Sequence, residues 1–180
     1  MPPRSDILLV SLASTAGLRA SDAALARALR AAGAEVAVVE AAAQRQVRTF
    51  ALTDLVWARA ARAAAQRGIA EHRPGAVVYG AMGAALLWPA PGAIRFDAPM
   101  AANRPGRHGA WQRPVERRRL REAPLLIPVS AMTLDETPAP RADAVVVPIP
   151  VEPSGDPAPE RDIAAVTYAA NPEKKGLDRV

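Results

Sequence analysis

The residues whose types could do chemistry lie in short stretches that follow apolar runs. Arg95-Phe-Asp-Ala-Pro99 places a carboxylate, Asp97, at the end of one run. There it could orient a hydroxyl or assist proton transfer; pairing with Arg95 or capping a turn is the plainer use. The loop Ala13–Ala20 carries Gly17, which would let backbone amides approach an anionic or hydroxylic ligand before a helix, or simply satisfies a turn. Gly80-Ala-Met-Gly83 is a second small-residue stretch. Near the end of the chain, Asn171-Pro-Glu-Lys-Lys-Gly176 sets Lys174 and Lys175 before Gly176. Two ammonium groups beside the oriented amides of a helix start suit a diphosphate. No GxGxxG follows Leu12, and GxxxxGK[ST] occurs nowhere, so neither standard phosphate-loop fingerprint is present.

A different chemistry is offered by RPGRHGAWQRPVERRRLR, from Arg104 to Arg121, in which Glu116 is the only acid. The cluster Arg104, Arg107, Arg113, Arg117 and Arg118 would attract phosphates, nucleic acid or acidic lipid head groups. The same arginines would equally form a solvated helix face, their stems lying on apolar neighbours. Nucleic acid is the weaker partner, because Trp111 stands without the interleaved aromatics that base stacking uses. His108, in a loop between Arg107 and Gly109, reads as solvated.

Composition removes several classes. The chain has no cysteine and only two histidines, His72 and His108, so thiolate chemistry and Cys- or His-rich metal sites are excluded and no metal ligands are assigned. With 180 residues, half of them hydrophobic and 23% charged, it can bury one ordinary core plus a short extra piece. The apolar run near the N-terminus, about six residues, is shorter than a secretory h-region. No stretch reaches the roughly 20 apolar residues of a membrane span. The expectation is a cytoplasmic protein with a possible peripheral contact at the inner face of the membrane.

The elements that must position these residues alternate. Ile7–Leu12, Val36–Val39, Ala76–Tyr79, Ala93–Phe96, Pro124–Ser130 and Ala144–Val147 read as buried parallel strands. Ser21-Asp22 offers an N-cap for a helix with Ala24, Leu25, Ala28, Leu29 and Ala32 at helical spacing, closed by Gly33. Thr53-Asp54 offers the next N-cap, for an Ala-rich helix to about Glu71, and a basic helix is expected from Ala110 to about Glu122. Gln44–Leu52 fits either a loop or an irregular strand. The fold class is therefore α/β, a Rossmann-like, mostly parallel sheet flanked by helices. Proline- and glycine-rich Pro153–Pro159 marks a boundary. Residues 1–153 form the main domain, 154–161 a linker, and 162–180 the beginning of a second.

Taken in order, these segments resemble GT-B glycosyltransferases of the retaining, glycogen-synthase-like group (family 4). Ala32-Gly-Ala-Glu-Val-Ala-Val-Val39 is similar to that group's "GHEVxVV", and Glu71-His-Arg-Pro-Gly-Ala-Val-Val-Tyr79 to its "RPDVVH". Arg113–Ser130 is similar to its basic helix followed by "ADxVIAVS", and Val145-Val-Val-Pro-Ile-Pro-Val-Glu152 to "VxVIPNGVD". Tyr168–Leu177 is similar to the turn "GRLxxxKGxD" that opens the second domain.

The resemblance implies glycosyl transfer from a nucleotide-sugar donor, as substrate rather than cofactor, to an unidentified glycan, lipid or small-molecule acceptor. It implies no metal and no other cofactor. Lys175 would contact the donor diphosphate with Lys174 and Gly176 beside it; Gly17 would lie near donor and acceptor. Asp97 falls near where many members place a histidine by the reacting sugar. The group's arginine in the terminal turn is replaced by Ala170 or Asn171, and its Gly-Gly pair near Gly17 by a single glycine. Only the first strand and turn of a donor domain would be present, so the chain is expected to be inactive alone. Two rivals remain: an epimerase or dehydrogenase, disfavoured by the missing GxGxxG and Tyr-x-x-x-Lys, and a non-catalytic anion- or nucleic-acid-binding Rossmann-like module.

Overall fold

The computed structural model describes residues 5–45, 47–104, 106–138 and 143–150. The chain divides into two units, Met1–Pro150 and Val151–Val180. Lys174, Lys175, Gly176, the linker and the second-domain start lie outside the described residues.

Five strands, β1 (Ile7–Ser11), β2 (Val36–Glu40), β3 (Ala76–Tyr79), β4 (Ala93–Phe96) and β5 (Leu126–Pro128), form one parallel sheet in the order β2-β1-β3-β4-β5. The α/β, Rossmann-like reading of the sequence holds. Residues 143–147 continue the sheet beside β5: Val145 N–H donates to Leu126 O (2.9 Å) and Val147 N–H to Pro128 O (3.0 Å). The expected sixth strand shrinks to a single parallel bridge, Leu126 with Ala144. Pro148 and Pro150 follow it, and a proline has no N–H to extend a ladder.

Period-two alternation sorts the side chains between two faces. Leu8, Val10, Val77, Tyr79, Ile94 and Phe96 pack with helix α2 (Phe50–His72), the short α3 (Met82–Ala85) and α5 (Gln112–Glu122). Leu9 and Val78 pack instead with Ala26, Leu25 and Leu29 of α1 (Ala16–Ala31). The β1–β2 and β2–β3 crossovers run in opposite directions along the sheet, so equal handedness puts α1 and α2 on opposite faces. Alanines 58, 61, 64 and 65 of α2 are completely buried; such small side chains let a helix approach the strands closely. Gly68 serves the same end, since a Cβ there would come within 2.9 Å of Leu8 and Val39.

Two helix starts differ from the sequence expectation. α1 begins at Ala16, capped by Thr15, whose Oγ1 accepts from Leu18 N–H (3.2 Å). α2 begins at Phe50, capped by Thr49 in the same way. Ser21-Asp22 and Thr53-Asp54 therefore lie inside helices. Gly33 does close α1: at φ 92°, its N–H donates to Arg30 O while Ala34 N–H donates to Leu29 O, the paired bonds of a Schellman end. Two further short helices follow β4 and β5, α4 (Met100–Asn103) and α6 (Ala131–Asp135). No helix among the described residues is long and apolar enough to cross a membrane.

Candidate functional site

In an open parallel sheet the crevice forms at the carboxyl ends of the strands where the strand order reverses. Here that point is between β1 and β3, and three of the residues singled out in the sequence reach this rim. The first is Gly17. It sits in the first turn of α1, exposed, and not in a loop before it. A Cβ at Gly17 would meet only Thr15 Oγ1 at 4.0 Å, so glycine is not sterically demanded there. The turn that delivers it is strained. Ala13 has φ 52°, a left-handed conformation that costs a residue with a Cβ about 1–2 kcal/mol. Arg19 Nη1 holds the Ala13 carbonyl at 2.7 Å.

The second is Gly80, at the end of β3, where glycine is demanded. A Cβ there would run into the carboxylate of Asp22 from α1. The third is Asp97, one residue past β4. Its backbone oxygen accepts from Thr133 Oγ1 (2.8 Å) and so ties β4 to α6. Its side chain is exposed and makes no hydrogen bond or ion pair with a described residue. It makes no direct ion pair with Arg95, although its charge acts on that guanidinium.

Arg95, two residues before Asp97, faces α1 and is 3% exposed. There it meets a polar cluster that the sequence did not disclose. Arg95 Nη1 donates to Ser21 Oγ (2.6 Å) and stands 3.7 Å from Asp22 Oδ1. Ser11 Oγ donates to Asp22 Oδ2 (2.6 Å). Asp22 Oδ1 and Arg95 Nε have no hydrogen-bond partner among the described residues. Burial pushes the Asp22 carboxyl above its ordinary range, against the pull of the Ser11 hydroxyl and then of Arg95. Burial likewise lowers Arg95, with Asp22 opposing. One signal could have exposed the cluster: a lone arginine alternating with Ile94 and Phe96 in a buried strand needs an acid facing it.

The arginine-rich stretch is dispersed by folding. Arg104 leaves it to grip Asp54 of α2 with two bonds, Nε to Oδ2 (2.8 Å) and Nη2 to Oδ1 (3.0 Å), while Gln112 Nε2 donates to the same Oδ2. Arg104 also lies 5.0 Å over the ring of Phe50, whose edge meets His108 at 6.1 Å. Arg113 donates to Gly106 O, and Arg118 and Arg119 both bind Glu122. Glu116 is buried, its Oε1 accepting from Met100 N–H (2.6 Å) at the start of α4. Trp111 Nε1 donates to Ala51 O (3.1 Å). Of the five arginines assigned to the patch, Arg107 and Arg117 are exposed, and their guanidinium groups make no hydrogen bond or ion pair with described residues. Among the described residues, no group of three His, Asp or Glu could hold a metal ion.

No family model, no curated protein and no solved structure matches the chain.

Proposed function

We propose that this chain is the acceptor-side portion of a glycosyltransferase that uses a nucleotide-sugar donor. One observation carries the reading: at the carboxyl-end rim, an exposed helix start at Gly17, a small-residue turn at Gly80 and the unpaired carboxylate of Asp97 follow β1, β3 and β4. The order of the resembling segments along the chain supports it, because the strands of the first three, β2, β3 and β5, fall in the parallel sheet. In the reaction, an acceptor hydroxyl oxygen bonds to the anomeric carbon as the bond from that carbon to the diphosphate oxygen breaks. The nucleoside diphosphate leaves with the electron pair, and the hydroxyl proton passes to its departing oxygen. Asp97 accepts the hydrogen bond of the acceptor hydroxyl and so orients it.

Ligand-detected NMR on the full chain tests this, with panels of simple glycans, UDP-, GDP- and ADP-sugars, and a duplex DNA. Saturation transfer to at least one glycan, weakened about tenfold or more by Asp97→Ala, is expected; loss of one charged hydrogen bond corresponds to about 1.5–3 kcal/mol. Absence of transfer to every sugar and nucleotide sugar overturns the reading. Salt-sensitive binding of the DNA alone would favour the anion-binding module instead.

A further inference from the structure

A surface at the tip of α2 is both apolar and basic, and nothing in glycosyl transfer itself accounts for it. Phe50 is 60% exposed, Leu52 49% and Val47 41%. Three of the large exposed hydrophobics of the described residues thus fall within six positions. The described tyrosine and tryptophan rings and Phe96 are buried or half-buried. The turn is ordered: Val47 N–H donates to Thr53 Oγ1, which in turn donates to Val47 O. Around this apolar tip stand Arg45 and Arg48, from the same turn, and Arg107, next to the His108 ring that packs on Phe50. All three arginines are exposed, and none of their guanidinium groups makes a hydrogen bond or ion pair with a described residue. The first turn of α2 carries no acid, and the sequence has none between Glu40 and Asp54. Asp54 itself is taken by Arg104 and Gln112. The helix N-terminus adds its own positive end.

We infer that this tip docks on an anionic bilayer surface, with Phe50, Leu52 and Val47 entering the head-group boundary and Arg45, Arg48 and Arg107 meeting lipid phosphates. Exposed aromatic and aliphatic side chains ringed by unpaired cations are the combination that interfacial binding needs. A soluble acidic protein would match the charge but leaves an exposed Phe50 without a purpose. The turn before α2 follows β2, and Arg107 follows β4, so the tip lies on the same carboxyl-end rim as Gly17, Gly80 and Asp97. Docking there would bring a membrane-borne acceptor to that rim. This last step, naming the acceptor as membrane-borne, rests on the glycosyl-transfer reading; the docking does not.

The test is co-sedimentation of the full chain with phosphatidylcholine vesicles and with equimolar phosphatidylcholine–phosphatidylglycerol vesicles, at low and high salt, without sugars. Binding to the anionic vesicles alone, weakened by salt, is expected. Arg48→Ala and Arg107→Ala should each lower the partition coefficient about fivefold. Leu52→Ser, and separately Phe50→Ser, should lower it about tenfold. Met132→Ser, at an exposed position on α6, should leave it unchanged, and all variants should melt as the parent does. Equal binding to both vesicle types, no binding, or an equal effect of Met132→Ser overturns the proposal. So does a concentration-dependent dimer that Leu52→Ser dissociates, which would give the surface to a second copy. Vesicle binding can fail while glycan binding survives, so the two proposals fail separately.

Discussion

Arg95 stands alone in a four-residue strand, between Ile94 and Phe96, whereas α5 carries five arginines in eleven residues. In the sequence the second region dominates. In the folded chain Arg95 is 3% exposed against a buried acid, while the Arg118 side chain is 67% exposed and shares Glu122 with Arg119. The contrast teaches that the density of charge in a sequence does not locate the charge that matters to the fold. A buried ion loses its hydration and depends on every remaining partner; a surface ion exchanges its partner for water at little cost.

The sharpest way to break that comparison is to remove Asp22. Asp22→Ala leaves Arg95 charged and buried, with Ser21 as its hydrogen-bond partner and Asp97 as the remaining nearby acid, and should cost about 3–5 kcal/mol in urea unfolding. Asp22→Asn combined with Arg95→Met keeps an acceptor for Ser11 and removes the orphaned charge, and should recover all but about 1 kcal/mol. A cost below about 1 kcal/mol for Asp22→Ala would place Arg95 in the same class as the surface arginines. The pH dependence has a definite sign. Asp22 is raised in the folded chain, so the folded state holds that proton more tightly than the unfolded one. Its ionisation therefore subtracts stability as pH rises from the ordinary carboxylate value, about 3.9, to the folded value, and the loss is constant above.

Next in size is Gly80→Ala. The new methyl would meet the Asp22 carboxylate, and α1 must lift or Asp22 must turn. Overpacking of this kind costs about 1–3 kcal/mol. In an Asp22→Ala background the obstacle is gone, so the same substitution should cost far less, and the double-mutant cycle should show a favourable coupling. Additive costs would mean that Gly80 is needed for its backbone alone.

The strands were legible because burial on both faces of a parallel sheet writes continuous apolar runs, and β3 and β4 fall where those runs do. Their parallel pairing followed from the helices between them. The helix starts were not legible for one physical reason. Ser21, Asp22, Thr53 and Asp54 are residue types that favour N-caps locally, but the fold uses Ser21 and Asp22 to receive Arg95, and Asp54 to receive Arg104. The threonines that do cap, Thr15 and Thr49, lie in stretches with no other helical signal before them. Of the candidate site, the small-residue turns and Asp97 could be read from position after a strand. Arg95 alone signalled a buried partner, but the Ser11–Ser21–Asp22–Arg95 cluster could not be named, since its hydrogen bonds join residues 11 and 74 apart. The exposed tip of α2 also escaped, because apolar residues in a sequence read as core until a structure leaves them outside.

The smallest effect belongs to the region that looked most charged. Glu122 is held below its ordinary value, first by the hydrogen bond from Arg118, with Arg119 adding to it. A lowered carboxylate contributes stability above its ordinary titration range and loses it as pH falls, the reverse of Asp22. Both groups in the Arg118 pair are open to solvent, so screening leaves little of that contribution. Glu122→Gln should leave the unfolding midpoint at pH 7 within error and should be insensitive to added salt, while Asp22→Ala remains costly at any ionic strength. Arg119 is the one place where this expectation can fail. It also stacks on Trp88 at 4.9 Å and donates to Leu86 O (3.1 Å), so a measurable loss in Glu122→Gln would mean that Glu122 orients Arg119 against the core. Arg119→Lys separates the two cases: a lysine keeps the charge for Glu122 but cannot reproduce the planar stack. If α5 acts only as a solvated face, the loss in Arg119→Lys will be the same whether residue 122 is Glu or Gln.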